Sequence, residues 1–271
     1  MIFFGKDAII NNIKTYFAFC YCAKEPAFML ILKKQIPNFI TLLNLLSGCV
    51  AAVLAVQGEL SLATFFVALG IFFDFFDGLA ARLLRESSDL GLQLDSLADM
   101  VTSGLVPGIV MCQLLSRSQS SSESSLDFFS NDLNWIVYIG FIITLGSAYR
   151  LAKFNIDERQ TDSFIGLPTP ANALLILSFG LILEYHPHSF LVSWIENTYV
   201  LIFVSIISVL LLNAELKLFA LKFKNLKLSE NWYRFLIILI SIMTLIWLQF
   251  VAIPVIILVY VLLSLGLQHK A

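Results

Sequence analysis

The sequence predicts an all-α bundle of membrane-spanning helices, and three observations carry that prediction. Of its 271 residues, 59% are hydrophobic and only 13% are charged, whereas ordinary soluble domains carry about 25% charged residues. Mean hydropathy is +0.87. Apolar runs near the roughly 20 residues that a helix needs to cross a bilayer recur along the chain. In lipid every backbone N–H and C=O must find its partner inside the segment, and a helix provides that. The net charge of −2 and the lack of basic residues interleaved with aromatics give no footing for nucleic-acid binding, so no nucleic-acid partner is expected.

Eight runs are predicted as spans: residues 37–57, 60–84, 92–116, 134–154, 169–186, 190–213, 233–249 and 252–268. The last two are short and are separated at Ala252-Ile253-Pro254, where proline removes a backbone donor and clashes with the preceding turn. They read as a helical hairpin; a single kinked segment, giving seven spans, is the alternative. Basic residues set the orientation. With Lys33 and Lys34 inside and eight spans threaded, sixteen of the seventeen Lys and Arg fall on the inner side, and Arg117 alone falls outside. The expected topology is N-in and C-in, in the cell (inner) membrane.

Three parts follow along the chain. Residues 1–28 carry Lys6, Asp7 and Lys14 and are too charged to span, so they form either an interfacial amphipathic segment or lie ahead of a natural start at Met29. Residues 29–213 hold the six-helix core. Residues 214–271 hold a basic loop, Lys217–Lys227, suited to anionic headgroups, and the C-terminal hairpin. The serine-rich stretch from Ser116 to Asp132 reads as a flexible outer connector. Cys20, Cys22, Cys49 and Cys112 lack zinc spacing, so neither zinc nor a structural disulfide is expected. His186 and His188 fall in an outer loop, far from Asp74, Asp77, Asp95 and Asp99, so metal ligation there is not expected.

The chemistry is expected where acids stand in apolar sequence. A charged group inside a span costs roughly 2.5–3.5 kcal/mol on insertion scales, so each one needs a reason. Asp74 and Asp77 interrupt the aromatic run Phe72-Phe73-Asp74-Phe75-Phe76-Asp77 and, three apart, share one helix face. Gly78 and Ala81 continue that face, with Arg82 beside them. On the next span Gly91, Asp95 and Asp99 recur every four residues. The short connection around Arg85–Asp89 makes these two helices antiparallel neighbours, so their carboxylates converge. Four ionised carboxylates side by side need compensation. Two hard divalent cations provide it, and an all-oxygen donor set favours Mg²⁺ or Mn²⁺ over zinc. Small residues at 78, 81 and 91 admit a bulky ligand to the backbone, and Arg82 offers a fixed positive charge to a phosphate. Two rivals remain: simple pairing of Asp74 and Asp77 with Arg82 and Arg85, and a cation transport pathway.

Asp74-x-x-Asp77-Gly78-x-x-Ala81-Arg82, eight residues, then Gly91-x-x-x-Asp95-x-x-x-Asp99 resembles the full motif of the CDP-alcohol phosphotransferase family. The resemblance implies that Asp74, Asp77 and Asp95 bind two metal ions. It places Asp99 at the metal site as well, as the general base, and it lines the CDP moiety with Gly78, Ala81 and Arg82. Ile36-Pro37-Asn38-Phe39-Ile40-Thr41-Leu42-Leu43-Asn44, Asp95-Ser96-Leu97-Ala98-Asp99, Tyr149–Asn155 and Ser163–Ala171 are similar to the membrane-integrated phosphatidylserine synthases of bacteria and archaea. That likeness implies CDP-diacylglycerol and L-serine as substrates and a homodimer. Another acceptor, such as glycerol 3-phosphate or an inositol phosphate, is the alternative within the family. Thr102-Ser103-Gly104 stands where the family pattern leads one to expect a Phe-Gly pair. Among the remaining polar residues, Asn38 and Thr41 share a face able to bond a nucleotide. Arg150, Lys153 and Asn155 are candidates for the acceptor or a phosphate, with Arg150 able to fork onto a carboxylate. The phenylalanines at 65, 66, 72, 73, 75 and 76 are expected to face lipid or to pack.

Overall fold

The computed structural model describes residues 27–85, 88–119, 135–156, 164–218 and 228–268. The expectations for residues 1–26, for most of the serine-rich connector and for Lys222–Lys227 fall outside them. The described chain is helical apart from a two-residue antiparallel pairing of β1 (Phe164–Ile165) with β2 (Lys217–Leu218). The helices are α1 (Ala27–Val56), α2 (Leu60–Leu84), α3 (Asp89–Asp99), α4 (Val106–Arg117), α5 (Ile142–Ile156), α6 (Thr169–Tyr185), α7 (Val192–Ile195), α8 (Thr198–Asn213), α9 (Leu228–Leu248) and α10 (Ala252–Gln268). Among the described residues, four segments are long and apolar enough to cross a membrane: Gln35–Val56, Leu60–Leu84, Asp89–Arg117 and Arg234–Gly266. The protein is therefore membrane-integral in character, and α6 and α8 are shorter apolar helices beside these spans.

The exterior explains the composition. Phe65, Phe72 and Phe75 are 54% to 60% exposed, and Phe203, Ile246 and Trp247 also face outward. Such a surface is ruinous in water and costs nothing against acyl chains. The interior is built from small residues on interlocking faces, as expected where helix association cannot draw on the hydrophobic effect. Ala51 and Ala55 of α1, Ala63 and Val67 of α2, and Val110 of α4 are fully buried in one cluster.

The third predicted span is continuous from Asp89 to Arg117 but changes pitch in the middle. Between α3 and α4, Met100–Leu105 forms a π-helical segment in which the Val106 N–H bonds the Val101 carbonyl. Pro107 supplies the reason: it has no N–H to give the carbonyl of Ser103, and its ring crowds that turn. The carbonyl of Gly104, the next residue, accepts from Thr144 Oγ1 at 3.1 Å.

Two predicted spans start differently from the sequence reading. The fourth opens as a 3₁₀ turn, Val137–Phe141, before α5. The sixth is not one helix from 190: α7 is four residues long, and Asn197 then starts α8 afresh. The Asn197 side chain accepts from the N–H groups of Tyr199 and Val200, which stabilises a new N-terminus at that point.

The last two helices part at Gln249–Val251, three residues before Pro254, where Gln249 adopts φ +48°. Pro254 itself sits in the first turn of α10, a position that tolerates proline. At this turn Phe250 packs on Tyr185 and His186 at the C-terminal end of α6. At the other end of α10, Val261 packs with Leu167 and Leu218, beside the N-terminus of α6. Helix α10 thus runs antiparallel to α6 and packs on α9.

One strained position holds the β1–β2 corner. Gly166 has φ +75°, and a Cβ there would lie 2.5 Å from the Leu212 carbonyl oxygen. Its N–H bonds the Leu216 carbonyl at 2.9 Å. Gly166→Ala is expected to destabilise the protein by more than about 1 kcal/mol, and a detergent-phase thermal unfolding midpoint equal to wild type would contradict this.

Candidate metal and nucleotide site

Three helices deliver the acids to one end of the bundle. Helix α1 continues through Pro37 and turns Thr41, Asn44 and Ser47 inward; all three are buried. Helix α2 carries Asp74 and Asp77 on the face toward α1 and ends at Arg85, which adopts a left-handed C-cap. Ser88 caps α3, its hydroxyl accepting from the Gly91 N–H at 3.0 Å. That cap sets the start of α3, and the four-residue spacing then brings Asp95 back toward α2.

The carboxylate oxygens of Asp74, Asp77 and Asp95 lie within 4.8 Å of one another. The Asp77 Oδ2 accepts a 2.6 Å hydrogen bond from Thr41 Oγ1, whose oxygen is also 3.1 Å from the Pro37 carbonyl. Neither Asp74 nor Asp77 forms an ion pair with Arg82 or Arg85 among the described residues. Arg82 instead folds back and donates from Nε to the Gly78 carbonyl at 2.9 Å. Pairing with these arginines therefore does not explain the acids. An uncompensated trio of carboxylates is repulsive, and an all-oxygen cluster of this size fits a hard divalent cation.

Beside the trio opens a cavity of about 380 Å³, walled by Asn38, Thr41, Asp77, Gly78, Ala81 and Gly91, with Asp95 at its edge. Gly78 keeps one wall low: a Cβ there would meet nothing nearer than Arg82 Nη2 at 3.9 Å. At Gly91 a Cβ would approach Asn38 Oδ1 and Ser88 Oγ at 3.1 Å, so that position is tighter. The structure thus brings together Asn38, Thr41, Gly78, Ala81 and Gly91, with Arg82 along the rim of Gly78.

Asp99 lies outside the three-residue cluster. Its Oδ1 accepts from Asn44 Nδ2 at 3.2 Å. Arg150 is near enough for its charge and that of Asp99 to attract, and its Nη1 donates to Thr169 Oγ1 at 3.3 Å. The other two acceptor candidates are engaged by protein groups: Lys153 is paired with Glu215 at 3.4 Å, and Asn155 accepts from Ser96 Oγ at 3.0 Å. His186 sits at the far end of α6, against Phe250.

Sequence reasoning assigned no role to Asn44, Thr102 or Asn172, all fully buried. For Asn44 a signal existed: an amide three residues after Thr41, on the same face of an apolar helix, needs a partner. Nothing in the linear sequence marked Asn172, which lies in the first turn of α6 and is fully buried.

The chain is similar to known proteins. Residues 34–211 match the model of the CDP-alcohol phosphatidyltransferase family. The chain is 35% identical over 150 residues, 53% of its length, to the CDP-diacylglycerol–serine O-phosphatidyltransferase of Bacillus subtilis, covering 75% of that protein. It is 35% identical over 144 residues, again 53% of its length, to the enzyme of the same name from Methanocaldococcus jannaschii, covering 59% of it. Against the enzyme of that name from Saccharomyces cerevisiae it is 30% identical over 203 residues, 62% of this chain and 68% of the yeast protein. The matched span runs from within α1 into α8 and takes in every wall of the cavity and all four aspartates, so the chain belongs to the CDP-alcohol phosphatidyltransferase family.

Proposed function

We propose that the chain is a CDP-diacylglycerol–serine O-phosphatidyltransferase, making phosphatidylserine and CMP from CDP-diacylglycerol and L-serine. The observation that carries this is the acidic trio, two of whose members, Asp77 and Asp95, line a 380 Å³ cavity together with Asn38, Thr41, Gly78, Ala81 and Gly91. Membership of the family and the names of the relatives select the reaction and its acceptor.

In this reading Asp74, Asp77 and Asp95, with Asp99 bordering them, hold two divalent cations, Mg²⁺ or Mn²⁺. Bound there, the ions supply countercharge to the diphosphate and to the departing CMP. Gly78, Ala81 and Gly91 let the nucleotide approach the helices, Asn38 and Thr41 offer it hydrogen bonds, and Arg82 balances phosphate charge. Asp99 takes the proton of the serine hydroxyl as its oxygen bonds to phosphorus and the bond to CMP breaks. No covalent enzyme intermediate is required.

The acceptor side favours a small polar molecule. The Nε of Arg150 and both amide atoms of Asn172 are buried without a partner among the described residues. An unmatched buried group of this kind costs about 1–3 kcal/mol, so each is poised for a ligand's charge or hydrogen bond. Arg150, joined to Thr169 and near Asp99, suits the carboxylate of an amino acid whose hydroxyl is presented to Asp99. Lys153 and Asn155 sit at the margin of this region and serve to anchor it.

The site end carries Arg82, Arg85, Arg150, Lys153, Lys217 and Arg234, which supports a cytoplasmic site in the cell (inner) membrane. In this reading the chain crosses the membrane eight times with both termini inside, α9 and α10 being counted separately. A homodimer is the expected assembly.

The test is acceptor dependence. Purified protein with Mn²⁺ or Mg²⁺ is expected to release CMP from CDP-diacylglycerol only when L-serine is present. Release with glycerol 3-phosphate in its place sinks the serine assignment and keeps the family chemistry. Metal flux into vesicles without nucleotide turnover would replace the enzyme reading with a transporter.

A further inference from the structure

The geometry points to Asn44 and Thr102 as positioning residues: a buried relay, Thr102 to Asn44 to Asp99, that holds the Asp99 carboxylate in one orientation for proton transfer. The inference rests on Asp99 acting as the base. It adds two residues from two different helical segments to which that reading gives no part.

The relay is directional. Thr102 Oγ1 donates to Asn44 Oδ1 at 2.8 Å and lies 3.2 Å from the Asn44 backbone carbonyl. With its oxygen thus engaged, the Asn44 amide must present its nitrogen to Asp99, and Nδ2 reaches Asp99 Oδ1 at 3.2 Å. If the amide were flipped, two oxygens would face each other at Asp99 and Thr102 would face an NH₂ group. Oδ1 of Asp99 is therefore committed, and among the described residues no donor reaches Oδ2. That leaves Oδ2 as the oxygen able to accept a proton.

The surroundings are shaped to keep this arrangement. Asn44 and Thr102 are both fully buried, so water does not compete for their hydrogen bonds. A Cβ at Gly70 of α2 would lie 2.7 Å from Thr102 Cγ2 and 2.8 Å from Asn44 Oδ1. At Gly48 of α1 it would collide with the Thr102 hydroxyl. Two helices thus give up side chains where the relay crosses between them. Thr102 itself sits in the π-helical segment that begins immediately after Asp99. Asp99 and Thr102 reach the same amide from its two ends, so the change in helical pitch is part of how the relay is assembled.

The obvious rival is that the pair merely glues α1 to α3–α4, as buried polar residues in membranes often do. Glue affects stability, whereas a positioning role affects the chemical step. Thr102→Val removes the donor at nearly constant volume, and Thr102→Ser keeps it. Asn44→Asp keeps the shape of Asn44 but replaces its donor with an oxygen, and it serves as a second probe of the same bond.

With CDP-diacylglycerol, Mn²⁺ and whichever alcohol the wild type uses, Thr102→Val and Asn44→Asp are each expected to lower kcat about 10–100-fold. Both KM values and the Mn²⁺ titration should stay within about twofold. Thr102→Ser should restore kcat to within about threefold of wild type. Equal changes in kcat and in Mn²⁺ affinity, an unchanged kcat in a folded variant, or failure of serine at 102 to restore turnover each overturn the relay. If Thr102→Val does not fold, the comparison of Asn44→Asp with wild type and of Thr102→Ser with wild type decides by the same criteria. Loss of serine dependence in the wild type overturns the acceptor assignment alone, because the relay is then read with the alcohol that supports turnover.

Discussion

Asp95→Asn is expected to abolish CMP release, with a loss of roughly 10³-fold or more, and to weaken Mn²⁺ binding in parallel. The substitution keeps the size of the side chain and removes one negative charge from a trio of oxygens that lie within 4.8 Å of one another. A hard cation gains most of its binding from anionic oxygen, and a neutral amide nitrogen is a poor ligand for it. Asp95 is also the member of the trio contributed by α3, so its loss separates the two helices' shares of the cluster. Mn²⁺ titration and CMP release, measured on the same detergent-solubilised preparation, should fall together. Turnover within tenfold of wild type at saturating Mn²⁺ would remove Asp95 from the metal site. Asp89→Asn is the control: Asp89 is exposed in the first turn of α3 and lines no part of the cavity, so turnover should stay within about twofold.

Asp99→Asn is expected to separate chemistry from metal binding. General-base catalysis contributes about 10²–10⁴-fold, and an amide cannot take the proton. Asparagine at this position can still accept from Asn44 Nδ2, so the local packing is retained. Because Asp99 lies outside the trio, Mn²⁺ affinity should change by no more than about threefold. Turnover close to wild type would show that another group accepts the proton. A collapse of Mn²⁺ binding in this variant would instead make Asp99 a metal ligand first and a base second.

Much of this site was legible before the structure. The aspartates stand in apolar sequence at spacings of three and four, and in a membrane both their cost and their helical phase can be read directly. The convergence of the acids of α2 and α3 followed from the shortness of their connection, although both helices pack on α1 far more than on each other, and the open wall at Gly78 followed from the missing side chain. Other features were not legible, for reasons that differ residue by residue. Thr102 looked like a departure from a familiar pattern; the π segment that gives it a partner depends on Pro107 and on the packing of α5, five to forty residues away. The break before α8 depends on one capping side chain, Asn197, inside a run that is apolar enough to read as continuous. The turn at Gln249 rests on a backbone conformation that residue type does not announce, whereas Pro254, the obvious marker, sits harmlessly in a first helical turn.

The amino-acid sequence by itself determined that the protein is a membrane-embedded helical enzyme with four aspartates on two converging faces, because bilayer energetics and helical periodicity are local rules. Only the tertiary structure decided which partners those four acids meet. Asp74, Asp77 and Asp95 meet in one cluster, while Asp99 is drawn aside by Asn44. That arrangement depends on where α1 crosses α3, and the crossing is set by glycines and alanines whose effect exists only when two helices touch.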